Sequence, residues 1–308
     1  MAPHLLLPPS RDIDVRAGDG TYLHTRVFGP EDGYPVVLSH GFVCAMGIWR
    51  EQIIDLSRDH KVIAFDHRGH GASGVPGRGQ YSLNHLAADL DTVLDATLAP
   101  GERAVIAGHS MGGMAIGAWS ERYPHKVTDR AGGVALINSS TGDVLRQIQL
   151  LSTPERLAGG RAAIGRRIVR HLGSVPAVRV AHRPTNKLVS RLAVGDDAHP
   201  DVHATMHELA TSTSRRGRHE YGRMLIEGLD RRHIKLDSLT VPTLVIGGQA
   251  DRLLPIAATH RIAQSAPNVV DLVELPGGHS TILEHPEAVN QHLRRLIEVA
   301  RRQDGRVD

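Results

Sequence analysis

Arg103-Ala104-Val105-Ile106-Ala107-Gly108-His109-Ser110-Met111-Gly112 decides how the chain is read. The run Arg103–Ala107 is short and apolar, which predicts a buried strand, and the residues after Ser110 predict a helix over Met111–Tyr123. A serine with glycines two positions away on both sides, set between a strand and a helix, fits a sharp turn that presents its hydroxyl. Such a turn forces Ser110 into strained backbone angles. It also brings backbone too close for side chains at positions 108 and 112, which accounts for Gly108 and Gly112. Ser110 Oγ is expected over the helix N-terminus, where the backbone dipole favours developing negative charge.

Working outward, the flanking sequence repeats the same alternation. Asp12–Ala17 and Tyr22–Phe28 read as two antiparallel strands joined through Gly18-Asp19-Gly20. Pro35–Ser39 and Val62–Asp66 are apolar runs separated by a helical segment near Met46–Leu56. Leu83–Leu98 carries leucines and valine at helical spacing, and Gly132–Asn138 is another strand. From about Ser139 to Leu239 the strands stop. Val144–Leu151, Arg161–Leu172, Pro184–Val194, Val202–Thr213 and Glu220–Leu229 are candidate helices. The alternation resumes with Thr243–Gly248, Ile256–Gln264, Val269–Glu274 and Pro286–Arg301. The expected class is α/β, a mostly parallel doubly wound sheet with helices on both faces. Residues 1–140 and 240–308 form its core, and 141–239 form an inserted helical cap over the ligand-binding edge.

A serine hydroxyl needs a base, and the base needs an orienting carboxylate. Two later segments supply them. Asp251 lies in Gly247-Gly248-Gln249-Ala250-Asp251-Arg252, and His279 in Pro276-Gly277-Gly278-His279-Ser280, each just past a predicted strand. Asp143, after the sixth strand, is the rival acid. Leu38-Ser39-His40-Gly41-Phe42 ends another strand, and its His-Gly pair lets the Phe42 amide point at a reacting oxygen. The Met111 amide is the second expected donor. His40 is expected to orient that loop, and His109 to pack under the turn and face away from Ser110.

These pieces together resemble the α/β-hydrolase superfamily, in the branch of bacterial esterases, monoacylglycerol-type lipases, haloperoxidase-like perhydrolases and C–C bond hydrolases. Asp66-His67-Arg68-Gly69-His70-Gly71-Ala72-Ser73 is similar to the segment after the fourth strand in that branch. The resemblance covers roughly Pro35–Ser140 and Pro242–Ala300. It implies catalytic Ser110, Asp251 and His279, an oxyanion hole at Phe42 and Met111, and no metal or organic cofactor. Epoxide hydrolases and haloalkane dehalogenases of this fold use a carboxylate nucleophile, which Ser110 does not match. Aminopeptidase relatives need cap carboxylates; Glu155, Glu208 and Glu220 keep that open against a cationic cap. The expected reaction is hydrolysis of carboxylic esters through an acyl-enzyme on Ser110, on a small-molecule acyl ester substrate, lipids among the candidates. A C–C bond hydrolase is the enzymatic alternative, and a small-molecule-binding module the non-enzymatic one.

Composition bounds the rest. The chain has 308 residues and a net charge of +3, with 22% charged and 3% aromatic residues. Residues 141–240 hold 17 Lys and Arg against 10 Asp and Glu, an excess of +7. No basic block is interleaved with aromatics, so no nucleic-acid partner is expected. Arg166, Arg167 and Arg170 share a helical face, read as solvated, with acidic substrates or a lipid surface as the functional alternative. Leu188, Leu192, Met206, Leu209, Met224 and Leu225 pack cap helices or line an acyl pocket. Met1–Ser10 is too broken by proline for a signal peptide, and no 18-residue apolar run occurs, so a cytoplasmic protein is expected. The single cysteine, Cys44, excludes an intramolecular disulfide and is read as a packed small residue.

Overall fold

Among the described residues the chain builds one sheet of eight strands in the order β1-β2-β4-β3-β5-β6-β7-β8. The computed structural model describes residues 7–144, 193–229 and 232–305. The strands are β1 Ser10–Arg16, β2 Tyr22–Phe28, β3 Tyr34–Ser39, β4 His60–Phe65, β5 Ala104–His109, β6 Ala131–Ile137, β7 Thr243–Gly248 and β8 Val269–Leu275. β2 runs antiparallel to both β1 and β4, and β3 through β8 run parallel. All six parallel strands therefore end on one edge, where Ser39 of β3 pairs with Gly108 of β5.

Alternation along the strands divides the core between the two faces. Val37, Ile63, Ile106, Val134 and Val245 pack with α2 (Leu83–Thr97), α3 (Met111–Arg122) and α7 (Ile256–Ser265). Their neighbours Val36, Val62, Val105, Ala135 and Leu244 face α1 (Arg50–Leu56) and α9 (Pro286–Gln303). Every residue of β3, β4, β5, β6 and β7 is buried, which is why these strands read as continuous apolar runs. Ser82 caps α2 by accepting the His85 N–H.

The expected elements within the described residues are present, with instructive departures. β5 continues through Gly108 to His109, so the turn at Ser110 has no slack between strand and helix. A short helix α4, Pro124–Arg130, was not anticipated, because Val127 is its one buried residue and leaves no apolar period to read. Residues 138–242 separate β6 from β7, and their described part contains α5 Pro200–Ser212 and α6 Arg215–Arg223. α6 starts five residues before the expected Glu220, where Ser214 accepts the Gly217 N–H. It passes into a π-helical turn at Met224–Gly228. The expected helix Arg161–Leu172 lies outside the described residues, as do all of Val144–Leu151 but its first residue and all of Pro184–Val194 but its last two. Among the described residues no helix is long and apolar enough to cross a membrane. A short α8, Thr281–Glu284, follows β8.

Candidate active site

Ser110 stands at the end of β5 with φ 54° and ψ −117°, angles that L-residues rarely adopt. Its backbone is fixed on both sides. The Ser110 N–H donates to Ile137 O at 2.9 Å, and Ser110 O accepts from Ser139 Oγ at 2.8 Å and from the Gly113 N–H at 3.0 Å. A Cβ at Gly112 would lie 2.0 Å from Ser39 O, and one at Gly108 would lie 2.5 Å from Gly112 C. The expected steric reason for both glycines therefore holds.

His279 and Asp251 reach the same edge from the loops after β8 and β7. His279 Nε2 lies 2.9 Å from Ser110 Oγ, and His279 Nδ1 lies 2.8 Å from Asp251 Oδ2. With Nδ1–H donating to the carboxylate, Nε2 is left as the acceptor for the serine hydroxyl. The three side chains are all but fully buried. Asp251 Oδ1 accepts the Leu253 and Leu254 N–H groups at 2.9 and 2.8 Å.

Asp143 takes no part in this chain. Its Oδ2 lies 3.2 Å from His233 Nε2, and its N–H donates to Leu229 O. The residue just past β6 that does reach Asp251 is Asn138. Its Nδ2 donates to Asp251 Oδ2 at 3.1 Å and to Gly278 O at 3.2 Å, and its Oδ1 accepts from the Thr281 hydroxyl. Sequence reading passed over Asn138. The available signal was an asparagine at a strand end, a residue that tolerates the φ of 45° found there.

Glu284 was passed over as well. Its carboxylate accepts the Gly278 N–H at 2.9 Å and the Ser280 N–H at 3.1 Å, on either side of His279, and the Gly195 N–H at 2.9 Å. Ser280 Oγ donates to Ala193 O, and Arg252 pairs with Asp196 at 2.6 Å. Residues 193–196 are thus fastened to the loops that carry His279 and Asp251.

Gly41 lies directly against the turn, since a Cβ there would sit 3.1 Å from Ser110 Cβ. His40 Nδ1 donates to Gly41 O at 2.7 Å, and His40 Nε2 accepts the His67 N–H at 2.9 Å. His70 Nδ1 lies 3.2 Å from Arg68 O, and His70 Nε2 accepts the Val43 N–H at 3.2 Å. Val43 has a φ of 57°. Among the described residues no acceptor takes the Phe42 N–H, and Met111 is the first residue of α3, whose N–H has no intrahelical partner.

Burial pushes His70 and His109 down to about 3 and His67 well below its ordinary value. Burial therefore favours the neutral form of these imidazoles. His109 Nε2 donates to His279 O at 2.7 Å, with its ring 5.1 Å from that of His279.

The remaining groups are structural. Arg68 forms a buried two-point contact with Asp89, 2.6 Å from Nε to Oδ2, and a second contact with Asp19 at 2.8 Å. Burial alone would raise the Asp66 carboxyl, but contacts with His24, Met46 N and Ala72 N hold it below the usual range. Burial pushes the Cys44 thiol up to about 12, so it stays protonated and packed. Met206 and Leu209 bury into the face that holds Ile282, and Met224 and Leu225 into the opposite one. Glu220 pairs with Arg223 at 3.2 Å. Glu155, Arg166, Arg167, Arg170, Leu188 and Leu192 lie outside the described residues.

A family profile described as alpha/beta hydrolase fold matches residues 34–286. A protein described as a carbamate hydrolase, RutD, from Variovorax paradoxus is 27% identical over 290 residues, covering 88% of this chain and 94% of its own. The non-heme chloroperoxidase of Burkholderia pyrrocinia is 27% identical over 249 residues, covering 79% of this chain and 84% of its own. Among solved structures, the esterase EaEST from Exiguobacterium antarcticum aligns with a TM-score of 0.75 at 19% identity, covering 94% of this chain and all of the other. With the profile spanning most of the chain, and the sheet order and turn at Ser110 agreeing with it, the protein belongs to the α/β-hydrolase fold family.

Proposed function

We propose that the protein is a serine hydrolase that cleaves carboxylic esters through an acyl-enzyme on Ser110. The observation that carries this is the unbroken contact from Asp251 Oδ2 to His279 Nδ1 and from His279 Nε2 to Ser110 Oγ. His279 takes the Ser110 proton as the oxygen attacks the ester carbonyl, and the developing oxyanion is met by the Phe42 and Met111 amides. The resulting imidazolium, steadied by Asp251, returns the proton to the leaving alkoxide. A water molecule then gives its proton to His279 and its oxygen to the acyl carbon, which releases the acid and restores Ser110.

The relatives support a carbonyl carbon that bears a heteroatom leaving group. One solved neighbour, Est816, 28% identical with a TM-score of 0.70, is titled an N-acyl homoserine lactone degrading enzyme, and another relative is described as a carbamate hydrolase. In this reading the insertion between β6 and β7 sets the choice of acyl and alcohol groups. A fluorophosphonate probe and p-nitrophenyl esters of graded chain length test the reading. The expected result is labelling at Ser110 and ester turnover, both lost in Ser110→Ala. An unlabelled Ser110, or full turnover in Ser110→Ala, overturns it.

A further inference from the structure

His70 belongs to the Asp66–Ser73 segment, whose residues are otherwise engaged in structural contacts. That segment also spans the underside of the loop that follows β3. The His67 N–H meets His40 Nε2, His70 Nε2 meets the Val43 N–H, and Asp66 Oδ1 accepts the Met46 N–H at 2.7 Å. Residues 40, 43 and 46 are therefore held by residues 67, 70 and 66.

We infer that His70 is a positioning residue for the oxyanion hole, holding the Val43 amide and through it the backbone that aims the Phe42 N–H. The inference rests on the serine hydrolase reading. In a trans peptide the carbonyl oxygen and the following N–H point in opposite directions. His40 holds Gly41 O, so the Phe42 N–H of that same peptide points away from His40. The peptide on the other side of Phe42 carries the Val43 N–H, and His70 holds that. Each peptide flanking Phe42 is thus fixed by one imidazole.

Val43 needs such a restraint. It is β-branched and sits at φ 57°, a conformation that only the surroundings can maintain. His70 can supply it only as the neutral ring with its proton on Nδ1, because a second proton at Nε2 would face an N–H. Its environment favours that form. The ring is fully buried, with Nδ1 against Arg68 O and ring neighbours His40 and Tyr221 at 5.2 Å and Phe42 at 6.3 Å.

Three variants test the role. His70→Asn keeps a donor near Arg68 O but ends short of the Val43 amide; His70→Phe keeps the ring and removes both nitrogens. Either is expected to lower kcat by about 10- to 100-fold with KM within about twofold. Inhibition by a trifluoromethyl ketone, which forms a tetrahedral oxyanion on the serine, weakens by the same factor. His70→Gln, whose Oε1 reaches the Val43 N–H, restores most of the loss. If one variant fails to fold, the other two carry the comparison. Wild-type kcat in a folded His70→Asn or His70→Phe variant overturns the inference, as does a loss that appears in KM alone. No labelling of wild-type protein at Ser110 would instead count against the hydrolase reading itself.

Discussion

Asn138 Nδ2 donates to Asp251 Oδ2, the same carboxylate oxygen that meets His279 Nδ1, at 3.1 Å. The same amide group also donates to the carbonyl of Gly278, the residue before His279. One side chain just past β6 therefore bridges Asp251 and the loop that carries His279. Asn138→Ala leaves these groups and the Thr281 hydroxyl without their partner in a buried site, at a cost of about 1–3 kcal/mol in stability. It also lets His279 and Asp251 drift, which is expected to lower kcat by about 10- to 100-fold. Ester kinetics and a urea unfolding curve check this, and wild-type kcat in the variant would contradict it.

The backbone strain at Ser110 separates two substitutions that both remove the hydroxyl. Glycine adopts φ 54° and ψ −117° freely, whereas alanine keeps the strain. Strain of this kind costs about 1–3 kcal/mol, and the greater freedom of glycine in the unfolded chain takes back about 0.5–1 kcal/mol. Ser110→Gly is therefore expected to be more stable than Ser110→Ala by about 1 kcal/mol, with both inactive. A Ser110→Gly variant less stable than Ser110→Ala by about 0.5–1 kcal/mol would show that the turn stores no strain.

Gly112 and Gly18 make a matched contrast. A Cβ at Gly112 meets the Ser39 carbonyl at 2.0 Å, and both partners are backbone, so neither can swing aside. Gly112→Ala is expected to lose at least about 3 kcal/mol of stability, read as a large drop in Tm or in soluble yield. At Gly18 nothing lies within 4 Å. Gly18→Ala should stay within about 0.5 kcal/mol of wild type.

The buried imidazoles predict acid sensitivity. In the unfolded chain His70 and His109 take up protons near pH 6.5, whereas in the folded protein burial holds both down to about 3. The unfolded state then binds more protons across that window, so their stabilisation is present above about pH 6.5 and lost as the pH falls toward 3. Each contributes about 1.4 kcal/mol per pH unit. The urea midpoint should fall steeply from pH 6.5 to 5, and His70→Gln should flatten the slope. A level profile over that range would show that these rings are protonated in the folded protein.

Much of this architecture was legible in the sequence. Strands β3 to β7 are buried on both sides and so appear as unbroken apolar runs, while the edge strand β8 is partly exposed and carries Asp271 and Glu274. Ser110, Asp251 and His279 each stand just past a parallel strand, so their convergence follows from strand direction. Asn138 and Glu284 were not legible, because a polar side chain at a strand end says nothing about which other loop it faces. Asp143 illustrates the same limit from the other side. It has the chemistry of a triad acid and the right strand before it, but its carboxylate turns to His233. The start of α6 was missed because Arg215–Glu220 is entirely polar apart from Gly217, and only Tyr221 and its successors carry the apolar signal.

Glu284 also bears on how relatives of this chain could be recombined. By chain order, the stretch between β6 and β7 looks like a cassette with breakpoints at residues 138 and 242. The hydrogen bonds draw a different boundary. Gly195 shares one carboxylate with the amides on both sides of His279, and Asp196 is tied to the residue after Asp251. A chimaera that imports a foreign stretch but keeps residues 193–196 with their parent core preserves that shared anchor. One cut at the covalent ends breaks it, at the expense of the alignment of His279.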